Sequence, residues 1–202
     1  MARESLREIN FDEQCLKSGA EIIERDNSRA IARIRFIDSD YQVEYPEGEV
    51  RKPGGFIEPL PYDRILILHY LAHATGAPLS GEIISYQQII DGWLYYPTFL
   101  KRVTNVLART FAGDIEDFMN AGMAIGAKPS PLGNHAMEIH AFPKVSYHLI
   151  MWPGDDELDT DFSCVFDRSI SDYLPAEDIT VLASVIASRL AQQSRKGGRH
   201  DP

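Results

Sequence analysis

The amino-acid sequence predicts an α+β fold, with antiparallel sheets and helices packed around one central buried helix, and three observations lead there. Residues 63–82 contain a run that is apolar over most of a helical circumference, residues 30–45 alternate with a period of two, and residues 136–166 hold three further extended runs. Strands toward both ends with helices clustered between them suit α+β better than a doubly wound parallel sheet, and no GxGxxG or P-loop pattern opposes that reading.

Taken in order, residues 2–24 read as one amphipathic helix or two short ones, with Leu6, Ile9, Phe11, Leu16, Ile22 and Ile23 on an imperfect apolar face. From Ala30 the alternation Ala32, Ile34, Phe36 and then Tyr41, Val43, Tyr45 predicts a hairpin. An even turn about Ser39-Asp40 would set Phe36 beside Val43 and Ile34 beside Tyr45. Pro46 to Pro61 is expected to be a connecting loop. In the central helix, Ile65, Leu66, Ile67, Leu68, Tyr70 and Leu71 leave little surface suited to water, and Gly76 followed by Pro78 is expected to end it. Glu82 to Tyr86 predicts a short strand. The aromatic run Trp93 to Phe99 then opens a helix with Pro97 near its first position, where a missing N–H costs nothing. Gly113 breaks that helix, Asp114 caps the next, and Gly126 closes it. Ala136–Phe142, Val145–Trp152 and Phe162–Phe166 should form an antiparallel sheet. The last helix begins at Pro175 with Glu177 and Asp178 favouring its dipole. One α+β domain is expected over residues 1–193, with a disordered tail at 194–202.

Composition narrows the function classes. A formal net charge of -10 repels phosphate backbones, so nucleic acid is not an expected partner. No run approaches the roughly 20 apolar residues of a bilayer span, and acids stand where a signal peptide would be apolar. Two distant cysteines, Cys15 and Cys164, form no CxxC pair and cannot by themselves assemble a zinc knuckle or an iron–sulfur cluster. A reduced, cytoplasmic protein is expected.

Four groups of residues could carry chemistry. His69 and His73 have the i, i+4 spacing that offers two imidazoles to one metal or flanks a planar cofactor; the intervening Tyr70-Leu71-Ala72 lacks the glutamate of an HExxH peptidase. Their structural alternative is a pair bonded to backbone carbonyls at the edge of the core. His135, His140 and His148 lie in the predicted sheet. With Phe142 paired to Val145, His140 and His148 would point to opposite faces, and a site using both would need a bulge. A haem or corrinoid needs only one axial imidazole, which keeps His148 as a candidate. Tyr86, Trp93 and Tyr96 could stack on a flat ligand, or be core. The loop 152–161 concentrates acids, among them Asp155, Asp156 and Glu157, as a hard cation such as magnesium or calcium requires. Its spacing is not that of an EF-hand, and a solvated turn is the alternative.

Leu68-His69-Tyr70-Leu71, Pro78 to Tyr86, Trp152-Pro153-Gly154-Asp155-Asp156-Glu157 and Phe166 to Asp178 together resemble a domain-of-unknown-function family of strict anaerobes, some of whose members are described as iron–sulfur proteins. The likeness runs from about Glu21 to Leu190 and reaches His69 but not His73. It implies an anaerobe's cytoplasm, where corrinoid, haem and one-carbon chemistry are abundant. The iron–sulfur description belongs to relatives fused to a cysteine-rich module that this chain lacks.

The leading expectation is a cytoplasmic cofactor-binding protein for a tetrapyrrole, haem or corrinoid, held by His69, His73 or His148 beside Tyr86, Trp93 and Tyr96. The alternatives are an enzyme binding a divalent cation through Asp155, Asp156 and Glu157, and a non-catalytic subunit of a redox complex. The expected partner is a small-molecule cofactor, with a protein partner or a second copy of the chain in the third reading.

Overall fold

The structure, a computed structural model, describes residues 9–55 and 58–197. Among the described residues, two antiparallel sheets share one core with six α-helices. The first sheet is a meander, β1 (Glu21–Arg25), β2 (Ala30–Phe36), β3 (Ser39–Tyr45) and β4 (Glu49–Arg51), in that spatial order. The second contains β5 (Ile83–Ser85), β6 (Lys128–Pro129), β7 (Ala136–Phe142), β8 (Val145–Trp152) and β9 (Asp161–Asp167), ordered β5-β9-β8-β7-β6. The helices are α1 (Phe11–Ser18), α2 (Pro61–His73), α3 (Gly92–Phe99), α4 (Asn105–Phe111), α5 (Ile115–Ala124) and α6 (Ala176–Gly197). No helix among the described residues is long and apolar enough to cross a membrane.

The amphipathic reading of residues 2–24 holds only for α1, and residues 2–8 lie outside the described residues. Asn10 caps α1 by accepting the Glu13 N–H at 3.3 Å. Gly19, at φ 75°, ends it in the left-handed conformation, so Ile22 and Ile23 belong to strand β1. In the β2–β3 hairpin the same side chains share a face as predicted, but the register differs: Phe36 faces Ser39, Ile34 faces Tyr41 and Ala32 faces Val43. The turn is Ile37-Asp38, earlier than Ser39-Asp40. Ile37 sits at φ 53° and is buried, and its N–H donates to Ala141 O at 2.9 Å on the other sheet. That tertiary bond fixes a turn the local sequence does not favour. The predicted loop 46–61 also contains β4, which pairs with β3 through Val43 and Val50.

Helix α2 buries Leu66, Ile67, Leu68, Tyr70 and Leu71, while Tyr62 and Ile65 on its outer face are 60% and 44% exposed. It ends at His73, before Gly76, because Gln14 Nε2 donates to the carbonyls of Ala72 and Ala74 at 2.9 and 2.8 Å and the chain turns extended at Ala74. The Tyr70 ring lies flat on Phe142 with centroids 4.0 Å apart, and its hydroxyl donates to Ser18 O at 2.7 Å.

Pro97 is inside α3, not at its start. The helix opens earlier because Gly92 lets the backbone close on Tyr86, where a Cβ would stand 2.6 Å from the carbonyl oxygen. Beyond Phe99 the chain widens into a π turn over Leu100–Thr104, with Asn105 N–H donating to Leu100 O, before α4 resumes. Asp114 caps α5 as predicted, accepting the Asp117 N–H at 2.9 Å. The last helix runs to Gly197, past the expected boundary at residue 193, and buries Ile179, Leu182, Ile186 and Leu190.

Candidate functional site

Helices α2 and α6 lie side by side in opposite directions, joined by two polar pairs. Near the C-terminal end of α2, His69 Nδ1 is 2.8 Å from Asp178 Oδ2, with the Asp178 carboxylate nearly buried in the first turn of α6. A carboxylate on Nδ1 fixes the ring and leaves Nε2 as its second nitrogen. His73 is exposed, its ring edge-on to His69 at 5.9 Å. The two histidines therefore share a face, as their spacing predicts.

His148 is not near them. Alternation along β8 sends Tyr147 toward α6, where its hydroxyl donates to Ile179 O at 2.8 Å, and sends His148 to the opposite face of the sheet. There Nδ1 meets Ser130 Oγ at 2.9 Å, and burial lowers the imidazole pKa below its ordinary value. The dimple it lines holds about 120 Å³, well short of the roughly 300 Å³ at which ligand pockets begin. Phe142 does pair with Val145, but a bulge between His140 and Phe142 restores His140 to the face of His148. His140 Nδ1 pairs with Ser146 Oγ at 2.8 Å, and no group of three His, Cys, Asp or Glu close enough to hold a metal ion occurs among the described residues.

The aromatic candidates separate likewise. Tyr86 is core: its ring stacks on Phe99 at 4.4 Å and its hydroxyl donates to Ala176 O at 2.9 Å while accepting from Thr180 Oγ1 at 2.6 Å. Burial pushes its pKa up. Tyr96, half-buried, stacks behind it, whereas Trp93 is 71% exposed. Together they form no open slot, because Tyr86 is walled in. In the acidic loop Asp155 Oδ1 accepts the N–H groups of Glu157 and Leu158, both at 2.9 Å, and these bonds hold its carboxyl below the usual range. Asp156 and Glu157 are exposed. Asp155 is thus a turn residue.

The site that sequence reasoning missed is a cleft of about 570 Å³ at the other end of the α2–α6 seam. Val181, Ser184, Val185 and Ser188 of α6 are its floor, Leu60, Tyr62 and Asp63 one wall, and Arg102 of the π turn another. Arg189 crosses the seam: one guanidinium nitrogen donates to Asp63 Oδ2 at 2.8 Å, the other to Asp38. Tyr41 also donates to Asp63 Oδ2, at 3.0 Å, and burial together with the Asp63 carboxylate pushes that phenol up to about 12. Asp63 Oδ1 is buried and has no hydrogen-bond partner among the described residues. Lys52 and Lys196 complete the lining, which holds four cations against three acids in a chain of net charge -10. The available signal was Arg189 itself, a cation inside the apolar pattern Ile186 to Leu190, and Asp63 at the start of an apolar helix.

The segments that carry the family resemblance meet around β9. Asp167 accepts from Ser80 N and Oγ at 2.9 Å, from Gly81 N at 2.8 Å and from Ser169 N at 2.9 Å. Burial alone would raise its pKa, but the bonds from Ser169 and Ser80 outweigh it and hold the carboxyl well below the usual range. Beside it Arg168 grips Glu82 through two nitrogens, each at 2.5 Å. These residues staple the loop after α2 to the sheet, with Asp167 capping the turn that follows β9.

No curated protein and no solved structure matches this chain. A family model described as a domain of unknown function (DUF3786) matches residues 10–189, from the cap of α1 to Arg189 of the cleft. The chain belongs to the DUF3786 family.

Proposed function

We propose that this protein is a small-molecule-binding module whose ligand occupies the cleft between the first turn of α2 and the exposed face of α6. The observation that carries the reading is Asp63: a carboxylate whose Oδ1 is buried without a donor among the described residues, in the lining of a cavity of ligand size. Apolar Leu60, Tyr62, Val181 and Val185 with a few polar groups suit an amphipathic organic ligand. The test is titration with anilinonaphthalene sulfonate, an aromatic anion that fluoresces when desolvated. Saturable one-to-one binding that is lost on filling the cleft through the exposed Ser188→Trp supports the proposal. Binding unchanged by that substitution overturns it.

The tetrapyrrole remains as a second reading because of His69. Its Asp178 partner supports the arrangement by which proteins orient an axial imidazole, and Tyr62, Ile65 and His69 follow one another along one face of α2, about 10 Å from the cleft wall to the ring. Haemin and cob(II)alamin titrations should then give band shifts that His69→Ala abolishes and His148→Ala leaves intact. An anaerobe's cytoplasm, where such cofactors are abundant, is the setting we propose with it. Cys15 and Cys164 are both buried free thiols, Cys15 pushed up to about 12 by burial first and by Asp12, which supports the reading that any iron–sulfur cluster belongs to a partner. The cation-dependent enzyme has less support, since Asp155 is already engaged by its own turn.

A further inference from the structure

Within the cleft, the charges already satisfied by protein and those left over are of different kinds. Asp38 and Asp63 Oδ2 are held by Arg189, and Glu58 pairs with Arg64 at 3.1 Å. The three remaining cations, Lys52, Arg102 and Lys196, have no acidic partner among the described residues. They come from three separate parts of the chain: the segment after β4, the π turn and the last turn of α6. Their convergence on one cavity in an acidic chain creates a local positive field suited to a multiply charged anion.

The opposite wall has another chemistry. Tyr62 presents a ring that is 60% exposed beside Leu60, over a floor that includes Val181 and Val185. An exposed aromatic ring beside an apolar surface fits the face of a flat heterocycle.

We infer that the ligand of this cleft is a nucleoside phosphate, its base against the exposed Tyr62 ring and its phosphate among Lys52, Arg102 and Lys196. This rests on the cleft being the binding site. A base, a ribose and a phosphate fit a cavity of about 570 Å³. Because the chain has no P-loop or GxGxxG sequence, side chains must hold the phosphate where those motifs use backbone N–H groups. Such binding weakens steeply with salt.

The experiment is displacement of bound anilinonaphthalene sulfonate from the full chain by AMP, GMP, CMP and UMP, with ribose 5-phosphate and inorganic phosphate as base-free controls. At least one nucleotide should displace the probe at a concentration tenfold or more below either control. Arg102→Gln, at an exposed position, should weaken that nucleotide about tenfold and flatten its salt dependence, and Tyr62→Ala should bring it toward the base-free controls. If the probe binds in the cleft but no nucleotide displaces it, the nucleotide inference falls and the cleft reading stands. If ribose 5-phosphate or phosphate competes equally well, the site is an anion site and the base assignment falls. A probe insensitive to Ser188→Trp removes both.

Discussion

Arg189 donates to Asp63 across the α2–α6 seam at 2.8 Å while its other guanidinium nitrogen holds Asp38, so one side chain of the last helix anchors both the central helix and the β2–β3 hairpin. The guanidinium also lies 5.1 Å from the centre of the Phe36 ring. Asp63 is 4% exposed at its side chain and Arg189 14%, which makes this a buried pair whose members depend on each other.

Replacing Arg189 with alanine should therefore cost about 3–5 kcal/mol, since an uncompensated carboxylate stays buried beside Tyr41. Arg189→Lys should recover only part of that, because an ammonium cannot present two nitrogens to Asp38 and Asp63 at once. Urea denaturation of the two variants gives the comparison directly.

Gln14→Ala should lower stability by about 1–3 kcal/mol, although α1 is not the helix most affected. The loss falls at the C-terminal end of α2, where the carbonyls of Ala72 and Ala74 lose their donor. Hydrogen exchange should show faster opening at residues 70–74 than in β2 or β3.

Gly92→Ala is expected to destabilise by about 1–3 kcal/mol through crowding. The new methyl would meet a backbone oxygen, Tyr86 O at 2.6 Å, which cannot rotate aside. Thermal unfolding should register the drop even though alanine is the better helix former.

Two pH effects have the same sign, because both groups have lowered pKa values in the folded chain. Asp167 has a depressed pKa in the folded protein, so its contribution is present above the unfolded carboxyl value of about 3.9 and is lost as pH falls below it. Asp167→Asn should flatten the acid limb of the stability curve there. The main cause for His148 is burial, which also depresses its folded pKa. Its contribution is complete above the unfolded value of about 6.5 and declines as the pH drops, because the unfolded chain takes up the proton first. His148→Gln should remove the slope just below pH 6.5, measured as unfolding midpoint against pH.

Much of the architecture was legible because it rests on periodicity. Strands β7, β8 and β9, the cap at Asp114 and the start of α6 after Pro175 all follow from local patterns. What failed locally was decided by tertiary contact. The hairpin turn moved to Ile37 because Ala141 accepts its N–H, and α3 began before Pro97 because Gly92 could close on Tyr86. For the candidate site, the pairing of His69 with His73 on one helix face was readable, while the separation of His148 required the orientation of β8 relative to α6. Of the cleft, only the misplaced charges of Arg189 and Asp63 were visible in the sequence, not the cavity. Asp38, Lys52, Asp63, Arg102 and Arg189 are scattered along the sequence and share no spacing, and only the crossing of α2 by α6 assembles them.

The order of synthesis gives that crossing a further consequence. α6 begins at Ala176, and until it emerges the side of α2 that faces it stays open and no guanidinium answers the charge on Asp63. β5 must likewise wait for β9, to which Ile83 and Asp167 bind it. A chain cut short before residue 176 would thus be unfinished and sticky, since α6 supplies both Arg189 and the cover along that side of α2.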